Sequence, residues 1–300
     1  MADSLSPKTY AGKAAAGFMS ASLLSGETLA KGNLTVLPNV AYKVNLNNFN
    51  LTTAAVADVT CDFTSSGDIN YAEKALAPKR LQVNKQLCKN DWLSTWAGAN
   101  MRAGLDGSLQ TDFATYLISY AGSLVGQQVE TSIWSGAAGN SGEFDGFQAL
   151  LTADAAVVDV AAVGGGLNAA NIIAQIGRVR DAIPNAVYGQ DDTAIYMGTA
   201  AFKFYISAQA ALGYLNQYHA GVTESNFEGI PIIWSPGMAA NVMIVGRKSN
   251  MFFATDLEGD LTEVKLLDQT MVDGSDNVNL VMRFNAGVGF STGADMVLYA

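Results

Sequence analysis

Three hundred residues, 49% hydrophobic and 15% charged, hold too much apolar surface for a disordered chain and exceed the usual single-core size. One elaborate domain or two lobes are therefore expected. The net charge of −10 is uneven: residues 1–90 carry nine Lys/Arg against six Asp/Glu, and residues 91–300 carry eight against twenty-one, a balance that argues against a protein built to grip DNA through a basic surface.

Residues 1–32 are rich in Ala, Ser, Gly and Lys, with at most a weak helix around Ala11–Leu24. They read as an arm that needs a partner surface to order it. Lys8 and Lys13 precede the run Ala14–Leu24, but that run is diluted by small residues, and Asp3 and Pro7 spoil the leader, so no signal peptide is expected.

From Asn33 to Asn90 short β-like pieces recur at Leu34–Leu37, Tyr42–Leu46, Val56–Phe63 and Arg80–Leu87. Turn chemistry at Asn47-Asn48 and Ser65-Ser66-Gly67-Asp68 separates them. Large apolar residues are too few there for a separate core, so an extended hairpin is expected. Five basic residues, Lys74, Lys79, Arg80, Lys85 and Lys89, face only Glu73. They form either a solvated basic face or a front segment that docks on an acidic body, that of a neighbouring copy included.

Ser108–Ser135 carries the strongest helical pattern. Leu109, Phe113, Tyr116/Leu117, Tyr120 and Leu124 form one apolar stripe, and Ile118, Ala121, Val125, Val129 and Ile133 a second beside it. With Asp112 and Glu130 its sole charges, this helix is expected to be covered on more than one side, over a length of about 40 Å. Gly136, Gly139 and Gly142 end it.

A mixed α/β stretch follows. Asn168 is placed to cap a helix with the apolar face Ile172, Ile173, Ile176, Val179 and Ile183, stopped by Pro184. Ala194–Met197, Ile230–Trp234, Val242–Val245 and Met251–Ala254 read as short buried strands, with a helix at Thr199–Leu215 among them. Thr262–Thr270, the turn Asp273-Gly274-Ser275-Asp276 and the run Val278–Phe290 then spell a hairpin. In that run Val278, Leu280, Met282, Phe284, Ala286, Val288 and Phe290 share one face. Asn279, Arg283, Asn285, Gly287 and Gly289, with Val281, share the other. This is one half-buried strand more than twice the common length. No internal repeat or low-complexity segment is present.

Candidate chemistry is sparse. Gly164-Gly165-Gly166-Leu167-Asn168-Ala169 formally matches a dinucleotide fingerprint between the strand-like Val157–Val163 and a helix. Asp159 inside that strand, and a following strand that closes at Met197-Gly198 without an acid, favour a plain loop. Asp256, Glu258 and Asp260 alternate like cation ligands, yet the spacing does not continue into a calcium loop. The one histidine, His219, and the two cysteines, Cys61 and Cys88, have no metal or disulfide spacing, and favour a reducing compartment. The nearest approach to a membrane span, Ala153–Ala170, contains Asp154, Asp159 and three glycines. No phosphate-binding Gly-Lys-Ser/Thr loop occurs. No catalytic site, cofactor or metal is expected.

The order of elements resembles the major capsid protein of tailed bacteriophages, the Hong Kong 97 fold. Three segments carry the resemblance: Glu73-Lys74-Ala75-Leu76-Ala77-Pro78-Lys79-Arg80-Leu81-Gln82-Val83 leading to Leu87-Cys88-Lys89-Asn90-Asp91-Trp92; the long helix with Ser135-Gly136 and Phe144-Asp145-Gly146-Phe147; and Phe227-Glu228-Gly229-Ile230-Pro231-Ile232-Ile233 with Asn250-Met251-Phe252-Phe253 and the closing hairpin. The resemblance implies an α+β fold: an N-terminal arm at 1–32 and an extended loop at 33–80. A peripheral domain is implied at 81–140 and 255–300 (spine helix 108–135, hairpin 262–290), and an axial domain at 141–254. The strand Val278–Phe290 is expected to pack on the spine helix and on Thr262–Thr270.

The implied role is structural and non-enzymatic. Copies would assemble into hexamers and pentamers of an icosahedral head around double-stranded DNA, in the host bacterial cytoplasm. Scaffolding, portal and decoration proteins are the further partners; packaged DNA would be met only weakly, and no membrane. Lys74, Lys79, Arg80, Lys85 and Lys89, with the hairpin tip Asp273, Gly274, Ser275 and Asp276, are the expected inter-subunit contacts. The short front suggests a separate scaffolding protein or none, and crosslinking is not expected. An encapsulin-type compartment shares the fold. A nucleotide-binding enzyme using Gly164–Ala169 and a surface-layer or adhesin protein are the readings from other classes.

Overall fold

In the computed structural model, residues 8–11, 27–51, 61, 69–88, 111–213, 225–256, 263–272 and 274–300 are described. The period-two run near the C-terminus forms a 14-residue strand, β13 (Asn277–Phe290). Val278, Leu280, Met282 and Phe284 are buried while Asn277, Asn279, Val281 and Arg283 between them are partly exposed. From Phe284 onward every residue to Phe290 is buried. The expected half-burial thus describes the first part of the strand only. Buried Asn285 donates from Nδ2 to the Ala41 carbonyl at 2.9 Å and its main-chain carbonyl accepts from the Thr255 hydroxyl at 2.9 Å, while its Oδ1 has no hydrogen-bond partner among the described residues.

The chain forms two compact units: Met1–Ala41, Pro78–Gly146 and Phe253–Gly287 in one, Tyr42–Ala77, Phe147–Phe252 and Val288–Ala300 in the other. The first is built on a six-stranded sheet. Its strands are β1 (Lys8–Ala11), β2 (Thr35–Leu37), β5 (Lys79–Cys88), β11 (Met251–Thr255), β12 (Glu263–Asp268) and β13, in the order β1-β12-β13-β11-β2, with β5 also paired to β13. β12 and β5 both run antiparallel to β13, in the registers Leu280↔Leu266 and Phe284↔Leu81. The expected pairing of Thr262–Thr270 with the long strand is therefore present. A 3₁₀ turn at Gln269–Met271 follows β12, capped by Asp268, whose Oδ1 accepts from the Thr270 amide at 3.0 Å.

Ala11, placed by its sequence at the start of a weak helix, instead closes β1, which lies antiparallel on β12 with Tyr10 opposite Val264. The edge of β12 offers that segment unpaired backbone groups to bond with. The rest of the expected helix, residues 12–26, lies outside the described residues, as does Val56–Phe63 apart from Cys61. A four-residue helix α1 (Glu27–Ala30) follows.

The long helix α2 spans Thr111–Ser135; residues 108–110 lie outside the described residues. Its covered face is the second stripe, Ile118, Ala121, Val125, Val129 and Ile133, joined by Leu117 and Trp134. Tyr120 and Leu124, assigned by spacing to a buried stripe, are 54% and 48% exposed. They share their face with Ser123, Gln127 and Thr131, which are also exposed, so within one subunit the polar neighbours decide that side. At the C-terminal end, Gly146 donates its N–H to the Gly136 carbonyl at 2.9 Å. A side chain at either glycine has no room: a Cβ on Gly146 would sit 2.5 Å from the Ser132 carbonyl oxygen, and one on Gly136 2.6 Å from it.

The second unit holds a mixed sheet of β6 (Val158–Val160), β7 (Thr193–Met197), β8 (Ser225–Phe227), β9 (Ile230–Trp234), β10 (Met243–Arg247) and β14 (Val297–Tyr299), in the order β6-β14-β10-β7-β9-β8. All five residues of β7 are buried, the pattern of a strand covered on both faces. Three helices belong to the same unit: α3 (Phe147–Ala153), α4 (Ile172–Asp181) and α5 (Thr199–Ala211). Ile172, Ile176 and Val179 of α4 and Phe202 and Tyr205 of α5 join Ile195, Met243, Val297 and Tyr299 of the sheet in one core. Two-residue hairpin chemistry joins β8 to β9: Glu228 and Gly229 both take positive φ, 49° and 88°, between the pair Phe227↔Ile230.

Helix α4 starts later than its sequence cap suggests. Asn168 closes the preceding turn, its Oδ1 accepting from the amides of Ala170 at 2.9 Å and Asn171 at 3.1 Å, and Asn171 occupies the cap position. The unit's remaining element is the antiparallel hairpin β3 (Val44–Leu51) and β4 (Ile69–Leu76). β4 has no amphipathic signature, because Glu73 and Lys74 put charge on both of its faces.

Candidate assembly surfaces

The hairpin has two unlike faces, as a period of two demands. Asn45, Asn47, Tyr71, Glu73 and Ala75 are exposed. On the other face Leu46 and Leu76 are buried, with Val44, Asn48 and Lys74 partly so. That face seats on the start of the C-terminal segment. Leu76 lies against Gly289, where a Cβ would come within 3.1 Å of Leu76 Cδ1, and Asn48 donates to the Thr292 hydroxyl at 2.8 Å. Lys74 ion-pairs with Asp154 at the end of α3, and its ammonium stands 3.7 Å from the centroid of the Phe290 ring. Hydrogen bonds from Lys74 and from the Ala156 amide, together with the ammonium charge, hold the Asp154 carboxyl below the usual carboxylate range.

Lys79 is also engaged within its own unit. Its ammonium donates to the carbonyls of Ala138 at 2.9 Å and Glu143 at 2.7 Å, closing the loop after α2. The Glu143 carboxylate accepts from Asn140 Nδ2 at 3.0 Å and from the Ala137 amide at 3.2 Å, and these bonds push its pKa down.

Arg80 and Lys85 are exposed, and their side chains make no hydrogen bond or ion pair among the described residues. Strand alternation sets Arg80, Gln82, Asn84 and Gln86 of β5 on one face beside Asn285, Arg283, Val281 and Asn279 of β13. Two shallow hollows run along this ladder and meet at Arg283. Their lining mixes amides and basic groups with Leu81, Leu280 and Val281. At the hairpin tip Gly274 takes a φ of 73° and Asp276 is exposed, while the Ser275 carbonyl accepts from the Thr270 hydroxyl at 3.3 Å. Lys89 and Asp273 lie outside the described residues.

Two features escaped the sequence reading. Glu130 on α2 is buried, and it accepts both the N–H (at 3.2 Å) and the hydroxyl of Thr28, whose oxygen in turn accepts from Trp134 Nε1 at 2.9 Å. Its signal was a lone carboxylate on an apolar helix face. The other is Asp154, which in sequence merely interrupts an apolar run.

The Gly164–Ala169 loop is built against its own chain. Gly165 and Gly166 take φ of 91° and 79°. The amides of Leu167 and Asn168 donate to the side chains of Asn241 at 3.1 Å and Asn171 at 2.8 Å, and that of Gly166 to the Val163 carbonyl at 3.2 Å. Amides so occupied are not available to cradle a phosphate. Among the described residues no group of three or more His, Cys, Asp or Glu side chains could hold a metal ion, and no helix is long and apolar enough to cross a membrane. His219, Glu258 and Asp260 lie outside the described residues, and Cys61 and Cys88 are free thiols.

By sequence, no family model and no curated protein matches the chain. By structure the likeness is extensive. The capsid of a native GTA particle aligns at a TM-score of 0.62 and 13% identity over 93% of this chain and 89% of its own. A chain of the satellite phage P4 procapsid aligns at 0.61 and 12% over 94% and 97%. The virus-like particle from Pyrococcus furiosus aligns at 0.52 and 10% over 96% and 99%. Several other phage structures, the capsid of the Myoviridae phage XM1 among them, share the same arrangement. The two sheets, the long helix and the long strand derived above are thus the elements of a known architecture: the chain has the α+β fold of phage major capsid proteins.

Proposed function

We propose that the chain is the structural shell subunit of a tailed-phage head, of the Hong Kong 97 type, assembling as hexamers and pentamers around double-stranded DNA. The observation that carries this reading is full-length likeness to capsid chains, with about nine-tenths or more of both partners aligned. In this assignment residues 1–32 are the arm, 33–80 the extended loop, 81–140 with 255–300 the peripheral domain, and 141–254 the axial domain. Arg80, Lys85, Lys89 and the Asp273–Asp276 tip, with the exposed Leu124 side of α2, are assigned as the contacts to neighbouring copies. Scaffolding, portal and decoration proteins join at assembly in the host bacterial cytoplasm. The acidic remainder suits a wall that encloses DNA without adhering to it. Expression followed by sedimentation tests the reading: particles of megadalton size are expected, and a monomer that persists with or without a scaffolding protein would sink it.

An encapsulin-type compartment is the second reading, supported by the likeness to the Pyrococcus furiosus particle at a lower TM-score. Nuclease-protected DNA inside purified particles supports the phage head, and packaged protein supports the compartment. A thermal shift on adding a dinucleotide would revive the enzyme reading through Gly164–Ala169.

A further inference from the structure

The foot of the β3–β4 hairpin carries more specific contacts than a passive connection needs. Four distinct interactions converge there: the Lys74–Asp154 ion pair, the ammonium of Lys74 over the Phe290 ring at 3.7 Å, the Asn48–Thr292 hydrogen bond at 2.8 Å, and Leu76 filling the space left open by Gly289. The receiving surface is itself rigid. Asn250 Oδ1 accepts from the amides of Ser291 at 3.0 Å and Thr292 at 2.8 Å, and Asn250 Nδ2 donates to the Thr292 carbonyl at 2.8 Å. Asp154 is fixed on its side by the Ala156 amide at 2.9 Å. Gly293 completes the socket, since a Cβ there would stand 2.7 Å from Asp154 Oδ2.

A two-stranded hairpin has little stability of its own, so its direction follows from what holds its foot. Leu76 and Leu46 supply non-directional burial; Lys74 supplies direction, because one ammonium must meet a carboxylate and a ring face together. We infer that Lys74, Asp154 and Phe290 form a latch that fixes the angle at which the hairpin leaves its unit. Lys74 is thereby a positioning residue for docking of the hairpin on a second copy of this chain. The angle itself is a property of the single subunit. Its consequence for assembly rests on the shell reading given above.

The test uses the full chain as a soluble subunit, with Cys61→Ser and Cys88→Ser removing the native thiols, and spin labels on Asn47→Cys and Asp159→Cys. Both labelled positions are exposed, on β3 and β6. The parent should give a single narrow distance. Lys74→Met, which keeps the stem and loses the charge, should lose that single distance, and so should Asp154→Asn. Lys74→Arg should keep it, because a guanidinium retains the charge that pairs with the carboxylate and also stacks on a ring face. Gly293→Ala retains every charged group but crowds Asp154, and it should broaden the distribution should Lys74→Met fail to fold. Distances in Lys74→Met that superimpose on the parent overturn the latch. Since they are read before assembly, a parent that forms no particles would count against the shell reading and leave the latch standing. Where particles form, Lys74→Met should lose their uniform diameter, while Lys74→Arg keeps it.

Discussion

Thr28→Val is the most informative single change in the first unit. Valine matches threonine in shape, so packing against α2 is retained while the hydroxyl is lost. That hydroxyl donates to the buried Glu130 carboxylate and accepts from Trp134 Nε1 at 2.9 Å. A hydrogen bond to a charged group is worth about 1.5–3 kcal/mol and a neutral one about 1, so losing both should destabilise the fold by about 2–4 kcal/mol. Thr28→Ser keeps both bonds and removes one methyl, for about 1 kcal/mol. Urea unfolding followed by the fluorescence of tryptophan, Trp134 being fully buried, reads both variants. Thr28→Val within about 0.5 kcal/mol of the parent, the ordinary scatter of surface changes, would refute the assigned role, as would Thr28→Ser being the more damaging of the two.

Gly146→Ala should destabilise by about 1–3 kcal/mol through overpacking against the Ser132 carbonyl, measured as a lowered thermal midpoint. Ile176→Ala empties a site buried to 0% exposure and should lose about 2–5 kcal/mol in chemical denaturation. Leu124→Gln, on the exposed side of α2, should leave subunit stability within about 0.5 kcal/mol while reducing the yield of particles. The Asp154 carboxyl has a folded-state pKa below its ordinary value of 3.8, so its stabilisation is present above that value and is lost as pH falls through the depressed one. Asp154→Asn should therefore flatten the acid limb of the stability profile below pH 3.8 and leave its shape at neutral pH unchanged.

The sequence foretold those elements whose hydrophobic period is long and uninterrupted. β13 and α2 are of this kind, and β9 matches Ile230–Trp234 to the residue. Where it misled, tertiary context outweighed the local pattern. Ala11 joined a sheet because β12 offers an edge, and Asn168 closed a turn because its side chain reaches two amides before the helix begins. Tyr120 and Leu124 stay exposed because their face is shared with polar residues, and spacing alone cannot say which of two adjacent stripes a neighbour will cover. The basic cluster was legible as composition, yet its members divide by strand parity. Lys74 points to the seated face of its hairpin and Lys79 into a loop of carbonyls, while Arg80 lies on an open sheet face. Asp154 and Phe290 are 136 residues apart in the chain, so nothing local in the sequence could have joined them to Lys74.

Cryo-electron microscopy of particles purified after expression of the chain, with a scaffolding protein where one is needed, tests the central claim most directly. The shell reading predicts closed icosahedral particles whose capsomers are hexamers and pentamers of this α+β subunit. A homogeneous monomer, or an open aggregate without capsomers under every condition, would contradict it.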